Sequence, residues 1–364
     1  MDEEIRVCSI CGCELQENET IEVDGEAVCD ECAEQYTTTC DHCGETIWAE
    51  DAVADEHMNL CSCCFDDHYR RCENCGRLVH DNDVLWSNDL PYCAHCYDNL
   101  DVEIEEYSYK PEPIFYGEGS RYFGVELEVD CGGKEDDNAG RIKAEANTRD
   151  EYIYIKSDGS LDDGFEIVTH PMTLDFHMKQ MYWEDVLKEA VRLGYKSHMT
   201  STCGLHIHVN RDAFGENEAE QEKVIERLLF FVETHWNELF TFSRRSPHNI
   251  NRWAARYGME KSGKEILDKA KKGNLGRYAA VNLCPYQTIE FRIFRGTLKL
   301  NTLYATLQLV NKICDVALFM SEEEIGQQSW GDFVQTITEP ELIQYLKERR
   351  LYVNDPVEEE GEEQ

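Results

Sequence analysis

The most restrictive feature of this 364-residue chain is a cysteine repeat, because fourteen of its eighteen cysteines precede residue 97. Two C-x-x-C pairs separated by 17 residues occur three times, with a period of 32 residues. The repeated cysteines are Cys8, Cys11, Cys29, Cys32, Cys40, Cys43, Cys61, Cys64, Cys72, Cys75, Cys93 and Cys96. Four thiolates in two such pairs provide a closed tetrahedral site for Zn²⁺. The repeat therefore predicts three structural zinc sites.

A disulfide scaffold is the alternative interpretation, but the strict pair spacing favours metal. Cys13 and Cys63 are surplus to the pattern, and Cys63 competes with Cys64 as a fourth ligand, although the register favours Cys64. We expect three tandem modules within residues 1–100, at about 5–35, 37–67 and 69–99. Each is too small to build its own core, so the metal would replace that burial.

The array resembles LIM-type and treble-clef zinc modules, a resemblance that implies a protein-binding surface. A LIM pair has a two-residue gap and a histidine between its halves, whereas here seven residues separate Cys32 from Cys40. The resemblance is therefore to the class of module, and it leaves the partner open.

The formal charge is −39, of which −24 falls within residues 1–110. Such a surface repels nucleic-acid phosphates, because affinity for DNA or RNA depends largely on Lys and Arg. We therefore expect no nucleic-acid partner. A basic protein partner and a merely solvated surface both remain open. The acidic tail at 353–364 is predicted to be disordered.

The chain contains no run of 18 apolar residues, and its N-terminus is acidic rather than basic. From this pattern we predict no signal peptide, no membrane span and a cytoplasmic location.

The remainder of the chain alternates strand-like and helix-like patterns. We predict a linker at 101–118, a folded domain at 119–325 and C-terminal helices at 326–352. Predicted strands are Tyr122–Val129, Glu151–Lys156, Gly164–His170, Leu205–Asn210, Arg277–Leu283 and Thr288–Phe294. Predicted helices lie at about 173–193, 217–241, 263–272 and 301–320. This order indicates an α+β fold with a largely antiparallel sheet.

Several predicted strands carry ionisable groups on their polar side: Glu126, Glu128, Glu166, His206, His208, Glu290 and Arg292. Each strand alone is usually just the solvated face of a sheet or a cross-strand ion pair. Together they place too many charges on one face unless metals and phosphates organise them. Carboxylate oxygens with an imidazole suit Mg²⁺ or Mn²⁺.

Four ordered stretches then resemble the amidoligase family, which shares the glutamine synthetase-type fold. They are FGVELEVD (123–130), DGSLDDGFEIVTHPM (158–172), STCGLHIHVN (201–210) and RYAAVNLCPYQTIEFRIFRGTL (277–298). The resemblance implies an ATP-dependent ligase that joins a carboxylate to an amine through an acyl phosphate. Small-molecule or peptide substrates are both compatible with it.

The resemblance also implies roles for individual residues. Glu126 and Glu128 would each bind one of two metals, and Glu166 would complete the substrate-side metal. His206 or His208 would join Glu290 at the nucleotide-side metal. Arginines would stabilise the transferring phosphoryl group, with Arg292 and Arg277 in that role. Further candidates for phosphate or substrate carboxylate are Arg295, Arg244 and Arg245, and Asp158 is a candidate acceptor for the proton of the amine.

Three other functions remain open. His206 and His208 could bind the zinc of a metallohydrolase, with Glu126 or Glu166 as its base. A relative with the same fold could cleave amide or isopeptide bonds. A non-catalytic adaptor could bind proteins through its zinc modules.

Overall fold

The computed structural model describes residues 6–15, 20–87, 89–97 and 103–352. It divides into two compact units, Met1–Asp101 and Val102–Gln364. The predicted disordered tail at 353–364 lies outside the described residues. No helix in the described ranges combines the length and apolar character that a membrane span requires.

The first unit repeats one local order, in which a hairpin is followed by a second hairpin and a short helix. In the first module, the first hairpin is reduced to an isolated antiparallel bridge between Val7 and Glu14. The elements are β1 Thr20–Val23, β2 Glu26–Cys29, α1 Asp30–Tyr36, β3 Thr37–Thr39, β4 Thr46–Trp48, β5 Val53–Ala54, β6 Asn59–Leu60, α2 Ser62–His68, β7 Tyr69–Arg71, β8 Leu78–His80, β9 Leu85–Ser87, β10 Leu90–Tyr92 and α3 Ala94–Tyr97.

The modules follow one another without a connecting loop, because α1 continues directly into β3 and α2 into β7. Their small apolar clusters also overlap. Leu78 of the third module is buried with Ile47 and Leu60 of the second module. Trp48 of the second module packs against the cluster that contains Val28 of the first.

The second unit is built on a seven-stranded sheet. Its strands are β11 Ile104–Glu105, β12 Phe123–Val129, β13 Ile153–Lys156, β14 Phe165–Thr169, β15 Gly204–Asn210, β16 Val281–Asn282 and β17 Thr288–Arg295. They are ordered β11-β13-β14-β12-β15-β17-β16. Only the β11–β13 pair in this sheet is parallel. The prediction of a mixed α+β unit with a largely antiparallel sheet is confirmed.

The helices of this unit are α4 Asp136–Ala146, α5 Leu174–Lys179, α6 Trp183–Arg192, α7 Glu218–Thr234, α8 Trp236–Ser243, α9 Pro247–Trp253, α10 Gly263–Lys271, α11 Leu300–Phe319, α12 Glu322–Gln327, α13 Trp330–Gln335 and α14 Pro340–Glu348. Side chains from α6, α7 and α11 share one hydrophobic cluster with Val125 and Leu127 of β12. Because strand side chains alternate, Glu126 and Glu128 project to the opposite face.

The single helix predicted at 173–193 is wrong, because the structure has α5 and α6 there. Trp183 Nε1 donates to His177 Nδ1 at 3.2 Å, and both residues are buried. In one continuous helix, residues six apart would lie about 240° apart around the axis, so they could not meet. The break allows this contact to form.

Three other segments also differ from the prediction. The helix predicted at 217–241 is interrupted at His235, which is buried edge-on to Trp330. Of the strand predicted at Arg277–Leu283, only Val281–Asn282 forms a strand, because Gly276–Tyr278 is a turn of 3₁₀ helix. Within the predicted linker at 101–118, β11 pairs with β13, and Tyr116 belongs to the core.

Candidate functional site

The first unit brings its cysteines together in three groups of four. The groups are Cys8, Cys11, Cys29 and Cys32; Cys40, Cys43, Cys61 and Cys64; and Cys72, Cys75, Cys93 and Cys96. The sulfur atoms of each group lie within 4.8 Å of one another. These are the predicted groups, and Cys64 rather than Cys63 joins the second one. Four convergent thiols in a closed group fit Zn²⁺.

Backbone amides near the first cysteine of each module favour its thiolate. Hydrogen bonds from the amides of Cys11 and Cys29 lower the pKa of Cys8 to about 6. Burial opposes the same effect at Cys40 and Cys72, but the amides around each still lower its pKa to about 6. Thiolates are the form that binds metal.

In the second unit, strand register gathers the predicted carboxylates and imidazoles on the polar face of the sheet. Glu126 of β12 lies opposite His206 of β15, and Glu128 lies opposite Glu166 of β14. His208 lies opposite Glu290 of β17. Glu128, Glu166, His206 and Glu290 are only 3–5% exposed. The geometry therefore joins six groups that the sequence distributes over 165 positions.

Two overlapping groups of ligand atoms are present within this cluster. Glu126, His206 and Glu290 form one, and Glu128, Glu166 and His206 form the other, each with ligand atoms within 4.8 Å. His206 Nδ1 lies 3.4 Å from Glu126 Oε2 and 3.6 Å from Glu290 Oε1. Its Nε2 lies 3.9 Å from Glu128 Oε1. The His206 ring thus stands between the two groups.

Burial and neighbouring charges shift the pKa values of two glutamates of the cluster in opposite directions. Burial alone would raise the pKa of Glu126, but His208 and His206 hold it well below its ordinary value. Burial, followed by the Glu126 charge, raises the pKa of Glu166 well above its ordinary value, against the effect of Lys156. Lys156 Nζ lies 3.3 Å from Glu166 Oε2. The carboxylates of the cluster therefore outnumber its cations. The raised pKa of Glu166 means that a proton partly neutralises this excess of negative charge.

His208 provides an independent sign that a ligand belongs here. Its Nδ1 hydrogen-bonds Thr288 Oγ1 at 3.0 Å. Its Nε2 lies 3.2 Å from Glu126 Oε1 without hydrogen-bond alignment, so this buried nitrogen has no hydrogen-bond partner among the described residues. An unsatisfied nitrogen beside convergent carboxylates fits a divalent cation with oxygen and nitrogen ligands, such as Mg²⁺ or Mn²⁺.

Two arginines border the cluster directly. Arg292 pairs with Glu290, and its Nε is buried without a hydrogen-bond partner in the described part of the chain. Arg245, 7% exposed, donates from Nε to the Phe294 carbonyl at 3.1 Å. Burial, together with Arg292 and Arg295, lowers the pKa of Arg245 to about 10. Both cations are placed to attract an anion near the carboxylates.

A bulge in β17 determines where its last residues lie. The register slips between Leu205 and Ile207 of β15, so that Phe294 pairs with Leu205 and Arg295 with Gly204. An extra residue in one strand reverses the faces of the residues that follow it. Arg295 then lines a small cavity together with Arg244.

The other two predicted residues lie outside the carboxylate cluster. Arg277 is exposed on the 3₁₀ turn, where it donates to the hydroxyls of Tyr107 and Tyr278. Asp158 follows β13 and accepts a hydrogen bond from the Ser160 amide at 2.6 Å, which stabilises the turn. Its charge contributes to the raised pKa of Glu166, so it is still near the cluster.

Three other residues of the site were assigned no role from the sequence. Lys156 ends a strand whose alternation places it on the polar face, a signal that could have identified it. Asn282 donates to Glu290 Oε2 at 2.7 Å. The ring of Tyr107 lies 5.7 Å from Lys156 Nζ and 6.0 Å from the Arg277 guanidinium, and it comes from the predicted linker.

No protein-family model and no curated protein matches this chain. Among solved structures, a bifunctional glutathione synthetase from Pasteurella multocida is 12% identical, with a TM-score of 0.37 over 65% of this chain and 47% of that chain. The complex of the prokaryotic ubiquitin-like protein Pup and its ligase PafA is 10% identical, with a TM-score of 0.30 over 64% of this chain and 62% of that chain. The match thus spans about half to three fifths of those chains. Similarity at this level indicates neither an activity nor a substrate for this chain.

Proposed function

We propose that the second unit is an ATP-dependent carboxylate–amine ligase with a glutamine synthetase-like fold, which works with two divalent cations. The observation that carries the proposal is the convergence of four glutamates and two histidines on one sheet face, bordered by Arg245 and Arg292. A metallohydrolase site would need fewer carboxylates and no adjacent arginines. Carboxylates, imidazoles and guanidiniums together suit magnesium and phosphate.

Each residue has a role in this proposal. Glu126, His206, His208 and Glu290 would hold the nucleotide-side cation, and Glu128 with Glu166 the substrate-side cation. Arg292 and Arg245 would stabilise the phosphoryl group in transfer. Arg277, at a distance from the carboxylates, remains a prediction for the same role. Asp158 remains the predicted acceptor of the amine proton.

The chemistry explains why such a site needs both carboxylates that bind metal ions and arginines that bind phosphate. A carboxylate cannot release oxide and repels a nucleophile, so it must first receive the γ-phosphoryl group of ATP. Bound Mg²⁺ would neutralise the phosphate oxygens. The arginines would stabilise the charge that develops on the phosphoryl group, and an amine would then displace phosphate from the acyl carbon.

Trapping the activated carboxylate tests the proposal without knowledge of the natural amine. The zinc-loaded full chain is incubated with Mg-ATP, hydroxylamine and a panel of amino acids and peptides. Hydroxamate and ADP should form in equal amounts, because hydroxylamine captures an acyl phosphate.

Glu128→Gln should reduce this turnover at least about 100-fold, since it removes one metal-binding charge. Glu145→Gln, on the exposed side of α4, is the matched control and should leave turnover unchanged. Amide hydrolysis without ATP would contradict the proposal in favour of a hydrolase. A cluster that binds Mn²⁺ while no ATP is consumed would favour an adaptor.

For the first unit we propose three structural Zn²⁺ ions, one in each cysteine group. Its acidic surface, with a formal charge of −22 within residues 1–101, is suited to a basic protein partner.

A further inference from the structure

A side-chain bridge crosses the polar face of the sheet above the carboxylate cluster. Tyr107 follows β11, which is one edge strand of the sheet, and Arg277 precedes β16, the opposite edge strand. Arg277 Nη1 nevertheless donates a hydrogen bond to the hydroxyl of Tyr107. The bridge therefore joins segments that come from the two edges of one sheet.

Lys156 shows which face the bridge crosses. Its side chain belongs to the polar face, because its Nζ lies 3.3 Å from Glu166 Oε2. The same Nζ lies 5.7 Å from the centre of the Tyr107 ring, and the Arg277 guanidinium lies 6.0 Å from that centre. Lys156 and Arg277 are thus less than about 12 Å apart, whereas five strand spacings, about 24 Å on a flat sheet, separate β13 from β16. The Arg277 segment must therefore reach back over the strands that carry the cluster.

The bridge forms an exposed layer above a buried one. Tyr107 is 51% exposed, whereas Glu128, Glu166 and His206 are only 3–5% exposed. The Nε2 atom of His208 is buried as well. The bridge therefore lies between solvent and the ligand atoms on this side of the cluster.

The contact is suited to opening and closing. Arg277 donates to the hydroxyls of Tyr107 and Tyr278, and no ion pair joins it to a carboxylate of the described residues. A hydrogen bond at the surface contributes little free energy, because water can replace it. Gly273 and Gly276, just before Arg277, have φ of 72° and 53°, and a Cβ at either position would meet no atom within 4 Å. The turn that carries Arg277 therefore has room to move.

We propose that Tyr107 and Arg277 form a gate over the cluster, which opens to admit ligands and closes to exclude water. Tyr107 is the positioning residue of this gate, because it comes from the opposite edge of the sheet and holds the Arg277 guanidinium over the face. The inference rests on the ligase function proposed above for what the closed gate protects. That species is the acyl phosphate, which water would convert back to the carboxylate and inorganic phosphate. Opening also frees the Arg277 guanidinium for an incoming phosphate group.

Access to the His208 ring tests the gate without added metal or ATP. The zinc-loaded full chain is treated with diethyl pyrocarbonate, which acylates neutral imidazole nitrogens, and the modified histidines are identified by mass spectrometry. Tyr107→Phe, which removes the acceptor hydroxyl and keeps the ring, should raise the modification rate of His208 about threefold or more. Arg277→Gln should do the same. The double variant should add nothing further, because the two single variants break one contact.

Two controls separate a gate from a loosened fold. Tyr109→Phe removes a hydroxyl from the same segment, where the ring packs edge-on to Tyr154, and should leave the His208 rate unchanged. The fully buried His177 should stay unmodified in every variant. A wild-type rate at His208 in both gate variants, or a parallel rise at His177, would overturn the gate.

The products of ATP turnover test what the closed gate protects. In the hydroxylamine reaction the wild type should form ADP and hydroxamate in equal amounts. Tyr107→Phe should form at least about twofold more ADP than hydroxamate, because water then competes for the acyl phosphate. A purely structural role of Tyr107 would lower both products together and keep their amounts equal, a result that contradicts the proposal.

The two proposals can fail separately. If His208 becomes accessible in the gate variants but no ATP is consumed, the gate stands and the ligase assignment is wrong. If the wild type forms hydroxamate while the gate variants match it in both assays, the ligase stands and the gate is wrong.

Discussion

Gly204 begins β15 between two functional side chains of the candidate site. A Cβ atom at this position would lie 2.6 Å from Arg245 Nη2 and 2.6 Å from His206 Nε2. No real Cβ approaches its neighbours so closely, so a larger residue must displace the imidazole or the guanidinium.

Gly204→Ala should reduce metal-dependent turnover at least about 100-fold and lower the free energy of unfolding by about 1–3 kcal/mol, because it overpacks the cluster. Turnover and urea unfolding measure the two effects. Gly124→Ala is the matched control on the same face of the neighbouring strand, where a Cβ would be 3.5 Å from the nearest atom, His208 Cβ. Equal losses in the two variants would show that His206 and Arg245 are not in contact with Gly204 as described.

Glu166 makes the binding of cations depend on pH. Its pKa is raised above the ordinary value of 4.5 by burial and by Glu126, so a proton competes with the metal. Mn²⁺ affinity should therefore continue to rise as the pH increases above the ordinary carboxyl value of 4.5, because this proton is lost at a higher pH than usual. His208 contributes in the same direction, because Glu126 outweighs the effect of burial and raises its pKa.

Calorimetry in buffers of different ionisation enthalpy counts the protons that Mn²⁺ displaces. Glu166→Gln should displace about one proton fewer than the wild type and should bind Mn²⁺ more weakly. An unchanged proton count would mean that Glu166 is already ionised in the metal-free protein.

At the scale of elements, the edge strand β11 is attached to the sheet by a helix N-terminus. Asp136, in the first turn of α4, accepts hydrogen bonds from the amides of Glu103 and Ile104, both at 2.8 Å. On the other side, the Ser157 amide donates to the Glu105 carbonyl at 2.8 Å. Together with the pairing of β11 and β13, these hydrogen bonds hold the segment that brings Tyr107 to the site.

Asp136→Ala should lower the free energy of unfolding by roughly 2 kcal/mol, because two charge-assisted hydrogen bonds are lost. Hydrogen exchange of the Ser157 amide should accelerate as β11 detaches. Asp137→Ala removes an exposed carboxylate from the same helical turn and so controls for the helix dipole. If both variants exchange Ser157 at the wild-type rate, β11 is held by other contacts.

Alternation of apolar and charged residues was sufficient to predict β12, β14, β15 and β17 within one or two residues, together with the face that carries Glu126 and His206. It could not predict β11, because two residues of an edge strand have no periodicity. Nor could it separate α5 from α6, since the break depends on the contact between His177 and Trp183. Arg277 was placed in a strand because its neighbours are strand-like, whereas the chain turns there.

At the scale of the whole molecule, the zinc prediction concerns stoichiometry. Elemental analysis should find about three zinc ions per chain, because each group of four cysteines is closed. Cys64→Ser should lose about one zinc ion, and Cys63→Ser should lose none, since Cys63 lies outside the second group. The same zinc content in both variants would contradict the assignment of Cys64.

The apolar clusters of the zinc array overlap in one sense only: a downstream module supplies a residue to the cluster of the module before it. The second module encloses Leu78, which the third module supplies, and the first is covered by Trp48 of the second. Among the residues that the structure describes, the second cluster takes none from the first module. The first and second modules are thus each completed by the module downstream of them. The array should therefore tolerate shortening from its beginning, whereas removal of the third module would open a hole in the second.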